Sequence, residues 1–272
     1  MPVLEYRELK PTAEAEAIYR RWLARLNDEF TRHTKPEIRS QIVRDELVQL
    51  YLGKPYGGPA KATLNHELAM HTLVESLDPR NVTLEPEYYG DVDAEKYAVR
   101  KPLIWFWQMF DRSPVGLNHW LGFRFRCMIG RHIFRHLGKH VKIFHNVEFT
   151  YGYNLTISDW CTIHKNVMLD DRGEIILHEG TSVSDYANVY SHTHNINHQA
   201  DVTNKRTELG PHARVTYHAT VLSGVTVGEH GMVGSMGVAS KNVEPFNVVG
   251  GIPAKTIKLK SIAPEELQKK SG

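Results

Sequence analysis

The chain has 272 residues, 41% of them hydrophobic and 24% charged. That is enough to bury a substantial core as one large domain or two ordinary ones, and it excludes disorder as the main state. A formal net charge of +2 is too mild to point to nucleic acid, which draws on strong basic clustering. The two cysteines, Cys127 and Cys161, make no disulfide framework and suit a reducing compartment.

The Met1-Pro-Val-Leu-Glu start lacks the basic region, apolar run and small-residue cleavage site of a secretory signal, so a cytoplasmic chain is expected. From Thr12 to about Leu77 the periodicity is helical. Ile18, Trp22, Leu26 and Phe30 recur every four residues, as one face of an amphipathic helix requires. Pro36 suits a first helical turn, Ile38, Ile42, Val43, Leu47 and Leu50 form a second stripe, and Gly53 stands where that helix can stop. Leu64, Leu68, Val74 and Leu77 give a third stripe. Between Asp78 and Arg100, prolines, an acidic cluster and paired tyrosines read as connecting structure, with the aromatics as core packing. Pro102 to Phe110 is the longest strongly apolar segment, far short of the roughly 20 residues that span a bilayer. Arg124 to Lys139 is basic and amphipathic. It reads as a helix packing Met128, Ile133, Phe134 and Leu137 onto the base of the following domain, rather than as a surface for anionic lipid or glycan.

From Leu137 onward the pattern becomes a repeat of six. Leu137, Ile143 and Phe149 are six apart, as are Ile157, Ile163 and Leu169, then Leu177, Val183 and Val189, and finally Leu209, Val215, Val221, Val227, Val233 and Ala239. A helix of 3.6 residues per turn drifts out of phase with such a period, whereas short strands separated by tight corners hold it. Three six-residue faces close a triangular coil of eighteen, and coils stack at roughly the 4.8 Å strand spacing. The expected fold is therefore mainly β, a parallel β-helix whose anchors point inward, preceded by helices. Small or β-branched residues fill the fourth position after each anchor, and Gly228 and Gly234 directly after an anchor are expected to permit the turns. The expected domains are an α-helical unit over 1–130, the prism over 131–262, and a short charged tail over 263–272.

Two places break the rhythm. Phe149 to Ile157 is a step of eight, a slip at one corner, and Val189 to Leu209 is an interval of 20, whose excess over eighteen sends an irregular segment off the prism. That segment holds His192, His194 and His198, open to reading as a metal site, a general base with neighbours, or a solvated polar loop. If it is strand, His192 is expected to point to the face opposite His194, leaving one of them for a substrate.

Three stretches are more specific than the period: Asn166-Val-Met-Leu-Asp-Asp-Arg-Gly173, the His192-Thr-His-Asn195 segment before a loop, and Val225-Thr-Val-Gly running through Ser240-Lys241 to Gly250-Gly-Ile-Pro-Ala-Lys255. Together they resemble the hexapeptide-repeat acyltransferases with a left-handed parallel β-helix, near the sugar and polysaccharide O-acetyltransferases, over about Leu137 to Leu259. The resemblance implies transfer of an acetyl group from acetyl-CoA, as co-substrate, to a hydroxyl, with no metal required. It implies His194 as general base with His192 as the second candidate. It also implies Ser235, Ser240, Lys241, Gly251, Pro253 and Lys255 along the coenzyme channel, Asp170 and Asp171 near the acceptor, and a homotrimer with active sites between prisms. The acidic pair has an alternative as turn caps with Gly173. The preferred acceptor is a saccharide. Serine- or xenobiotic-type acetyl transfer on the same fold is the near alternative, although the Asp-x-His-Pro loop usual for serine acceptors is missing. A zinc-dependent carbonic-anhydrase-like β-helix and a non-catalytic trimerisation module are the distant ones. No nucleic acid partner and no membrane contact are expected. The first 130 or so residues and loop 195–208 match nothing in that family.

Overall fold

The computed structural model describes residues 9–58 and 67–268. Helix α1 (Ala13–Arg32) starts at Thr12, whose hydroxyl accepts the Ala15 N–H, and buries Leu23, Leu26 and Phe30. Ile18 is 56% exposed, because residues four apart drift about 40° per step and the stripe's first member leaves the buried face. Helix α2 (Pro36–Leu52) opens on Pro36 and stops at Gly53, which is left-handed at φ 66, as its sequence predicts. In the third stripe Leu64 lies outside the described residues. Helix α3 (Leu68–Ser76) buries none of its own residues, while Leu77 just beyond it is fully buried. The connecting segment holds 3-10 turns at 79–81 and 85–88 and helix α4 (Ala94–Ala98), before α5 (Lys101–Arg112) and α6 (His119–Ile133). Helix α6 ends sooner than its amphipathic pattern suggested: Phe134 is already extended and Leu137 belongs to the first strand.

The rest is a three-walled coil. The first wall stacks His136–Leu137, Leu155–Ile157, Ile175–Leu177, Thr207–Leu209 and Thr226–Val227 in parallel. The second stacks Lys142–Ile143, Thr162–Ile163, Ser182–Val183, Arg214–Val215, Met232–Val233 and Asn247–Gly250. The third stacks Glu148–Phe149, Met168–Asp170, Asn188–Tyr190, Thr220–Val221 and Val238–Ala239. Each predicted anchor pairs with the anchor one coil away, as in Ile143 with Ile163 and Val221 with Ala239, so the aliphatic side chains form ladders down the axis. The Leu169 to Leu177 interval repeats the eight-residue step of Phe149 to Ile157. Both lie between the third and first walls, and the strands they lead into stay in register. The histidine excursion is larger than its sequence reading implied. Leu209 pairs directly with Leu177, so the interval of 20 replaces a single six-residue step rather than exceeding a full coil.

The corners are built differently from expectation. Gly228 and Gly234 do not have positive φ; the left-handed residue falls three positions after an anchor. There it is His140, Asn146, Trp160, Asn166, Tyr186, His212, His218, His230 or Met236, and glycine at Gly152, Gly180 and Gly224; Phe246 takes the same place after Val243, which bridges to the anchor Val227. Stacked rings hold the left-handed conformation at several of these positions: His140 lies 4.0 Å from Trp160, His230 lies 4.8 Å from His212 and 5.1 Å from Phe246, and Tyr186 lies 4.9 Å from His218. Four of the chain's sixteen histidines, His140, His212, His218 and His230, are thus corner pieces. Gly228 instead admits a neighbouring coil, since a Cβ there would meet Pro245 N at 2.7 Å.

Helices and prism share one hydrophobic core, which crosses residue 130 without a gap. Trp107 of α5 donates its indole N–H to Val147 O at 3.0 Å and sits edge-on to Phe134 and Phe149. Arg126 of α6 is 1% exposed and paired with Asp111 of α5, and the other Asp111 oxygen accepts the Asn146 N–H of the prism. Helix α6 packs against the first strands and closes the lower edge. Strand Lys255–Leu259 turns back antiparallel on Asn247–Gly250 and covers the upper one.

Candidate active site

The excursion leaves the third wall after Tyr190 and forms a hairpin, His192–His194 antiparallel to Val202–Asn204. Its root is fastened by Ser191, which is fully buried. The Ser191 hydroxyl donates to Asp170 O at 2.5 Å and accepts the Gly173 N–H at 2.9 Å, and Ser191 O accepts the Lys205 N–H at 2.7 Å. Gly173 is required by this crossing rather than by a turn, since a Cβ would lie 2.6 Å from Ser191 O and 2.7 Å from Lys205 O.

His192 and His194 do not point to opposite faces. Residues two apart on a strand share a face, and the two rings meet edge to face with centroids 5.1 Å apart. His192 is half-buried, its Nδ1 2.6 Å from Asp170 Oδ2. Burial holds its pKa below the ordinary imidazole value against the pull of Asp170. His194 is exposed, and its Nδ1 lies 2.7 Å from Gln199 O. A carbonyl only accepts, so Nδ1 carries the proton, and in the neutral ring Nε2 presents the lone pair. His198 is exposed further along the loop. Among the described residues, no group of three or more His, Cys, Asp or Glu side chains is arranged to hold a metal ion.

The two aspartates part company. Asp170, 4% exposed, accepts the Thr150 hydroxyl at 2.9 Å and faces His192, so it orients that ring. Asp171 is fully buried and accepts the N–H groups of Thr150, Tyr151 and Asn154. It holds the eight-residue corner beneath it and does not face an acceptor.

The six expected coenzyme residues lie on the last coils. Ser235 lies in the corner between second and third walls, Ser240 and Lys241 follow the third wall's last strand, Gly251 and Pro253 lie in the closing turn, and Lys255 opens the strand after it. All six are exposed. The turn lies flat on the third wall, with Val238 N bonded to Gly251 O and Ala254 N to Val238 O. The histidine hairpin leaves two to three coils lower, about 10 to 15 Å along the axis at about 4.8 Å per coil.

Sequence reading passed over Asp91, which binds the helical segment to the site. Its carboxylate takes bonds at 2.8 Å from Arg172 and Tyr151 of the prism and from Asn204 of the returning hairpin strand. Arg172 also lies over the Tyr89 ring at 4.2 Å. The paired tyrosines and acidic cluster around Asp91 were the available signal, but their pattern carries no period that assigns them to the site.

No family model matches the chain. Over 166 residues it is 31% identical to the putative colanic acid biosynthesis acetyltransferase WcaF of Escherichia coli, covering 59% of this chain and 87% of that protein. Among solved structures, a maltose O-acetyltransferase from Clostridium difficile 630 matches with a TM-score of 0.54 and 18% identity, covering 63% of this chain and 91% of that one. A galactoside acetyltransferase in complex with coenzyme A matches at 0.53 and 17%, covering 63% and 85%. At those identities the structural likeness speaks for the fold alone.

Proposed function

Since this chain belongs to the hexapeptide-repeat acyltransferases, enzymes built on a left-handed parallel β-helix, we propose that it moves an acetyl group from acetyl-CoA to a hydroxyl of a saccharide, with His194 as general base. The observation that carries the base assignment is the 2.7 Å contact from His194 Nδ1 to Gln199 O, which makes Nε2 the lone-pair nitrogen of the neutral ring, on an exposed strand. A hydroxyl is a poor nucleophile at neutral pH, and a neutral imidazole is suited to take its proton. As the proton passes to Nε2, the acceptor oxygen attacks the thioester carbonyl carbon and a tetrahedral oxyanion forms, favoured by nearby backbone N–H groups. Collapse breaks the carbon–sulfur bond, and the leaving thiolate recovers the proton from the imidazolium, giving an acetyl ester and coenzyme A. His192, steadied by Asp170, is a neutral neighbour that shapes the acceptor side.

For the donor, Ser235, Ser240, Gly251 and Pro253 form the exposed upper surface on which an extended pantetheine arm would lie, and Lys241 and Lys255 are point charges for its phosphates. Coenzyme A in a neighbour of the same fold supports this donor. A homotrimer, placing the site between prisms, completes the reading. The test is thiol release from acetyl-CoA in the presence of saccharide acceptors. His194→Ala is expected to lower turnover by about 10² to 10⁴ with coenzyme A affinity intact. If His192→Ala takes that loss and His194→Ala does not, the base assignment is overturned.

A further inference from the structure

The residues ahead of the prism do more than plug its base. The turn at 83–89, Tyr97 of α4 and Gln108 of α5 arch over the lowest rungs of the third wall and enclose a cavity of about 420 Å³. From the helical side Glu85, Tyr97 and Gln108 line it, and from the prism Glu148, Asp170 and His192. The His192 ring at its edge is the one that touches His194. The volume falls within the range of small-molecule sites, roughly 300 to 1,000 Å³.

We infer that this cavity receives the acceptor, and that the helical segment makes it selective for a neutral, hydroxyl-rich ring over an anionic one. The inference rests on the acetyltransferase reading above. Three carboxylates, Glu85, Glu148 and Asp170, line the space, and no Lys or Arg does. Carboxylates accept hydrogen bonds from hydroxyls and repel phosphate or uronate groups. The Asp91 bonds to Arg172, Tyr151 and Asn204 hold this helical segment against the hairpin that carries the base, so pocket and base are one assembly.

The experiment measures acetylation of a panel of neutral glycosides, hexose phosphates and uronates by the full chain, alongside coenzyme A binding and thermal melting. Gln108→Leu, which removes a polar side chain that the helical side contributes to the cavity, is expected to raise the KM for the preferred neutral acceptor about 3- to 10-fold, the loss of one hydrogen bond, while the melting temperature stays or rises and coenzyme A binding is unchanged. A purely structural glutamine would not give that split. Glu148→Lys, at an exposed position, is expected to shift preference toward phosphorylated or uronate acceptors about 10-fold. If neutral glycosides are acetylated and neither variant changes acceptor KM or preference, the pocket assignment is overturned and the acetyltransferase reading stands. A wild-type preference for anionic acceptors likewise overturns the selectivity. If the wild type binds acetyl-CoA but acetylates no hydroxyl acceptor, both readings fall.

Discussion

The Asp171 carboxylate lies under the corner it organises and receives three backbone N–H groups. Burial nevertheless pushes its pKa up to about 7. The folded state therefore favours the protonated form. The stability this group contributes is complete below its unfolded pKa of about 3.9 and is lost as pH rises through about 7. Asp171→Asn keeps an oxygen for Thr150 and Tyr151 but cannot ionise, so its melting temperature is expected to gain on the wild type between pH 5 and pH 8. Parallel melts at both pH values check this, and a constant difference would count against the buried proton. Sequence could not separate Asp170 from Asp171. The six-residue period assigns an inward face to Leu169 and is silent over the irregular residues that follow, where burial depends on a hairpin from later in the chain.

Among the elements, the strands were legible because one repeated contact, anchor on anchor, is written at a constant interval. The corners were not. Left-handed backbone is uncommon for residues other than glycine, and here rings from separate coils stabilise it, so no local signal marks His140 or Trp160 as a pair. Gly180 shows the constraint from the other side: its φ is 68, and a Cβ would come within 2.3 Å of His212 Nδ1. Gly180→Ala is expected to cost about 1 to 2 kcal/mol or more, read as a lower denaturant midpoint. The hairpin depends on Asp91. Burial alone would raise that carboxyl, but bonds from Arg172, Asn204 and Tyr151 hold it down at about 2. A depressed carboxylate stabilises above its unfolded pKa of about 3.9 and loses the contribution as pH falls toward 2. Hydrogen exchange over 192–204 is expected to accelerate as pH drops below about 4, after correction for intrinsic rates, and Asp91→Ala is expected to reproduce the loosening at neutral pH.

At the scale of the whole molecule, the change of sequence pattern near residue 130 marks a change of secondary structure within one core. The Asp111–Arg126 pair, buried between α5, α6 and the first coil, makes the helices part of the prism's foundation. Asp111→Ala leaves a buried guanidinium uncompensated and is expected to cost about 3 to 5 kcal/mol, with one cooperative transition lowered rather than a separate early one. Two transitions would show that the helices melt independently. Sequence alone could not foretell this union, because aromatic stripes on helices announce burial without naming what covers them. The hairpin stands in the opposite relation to the whole. Ile175–Leu177 pair with Thr207–Leu209 as though nothing intervened, so the ladder does not register how long the excursion is or what it carries. A lineage can exchange this cassette, and with it the chemistry it presents, while the frame that supports it stays unaltered.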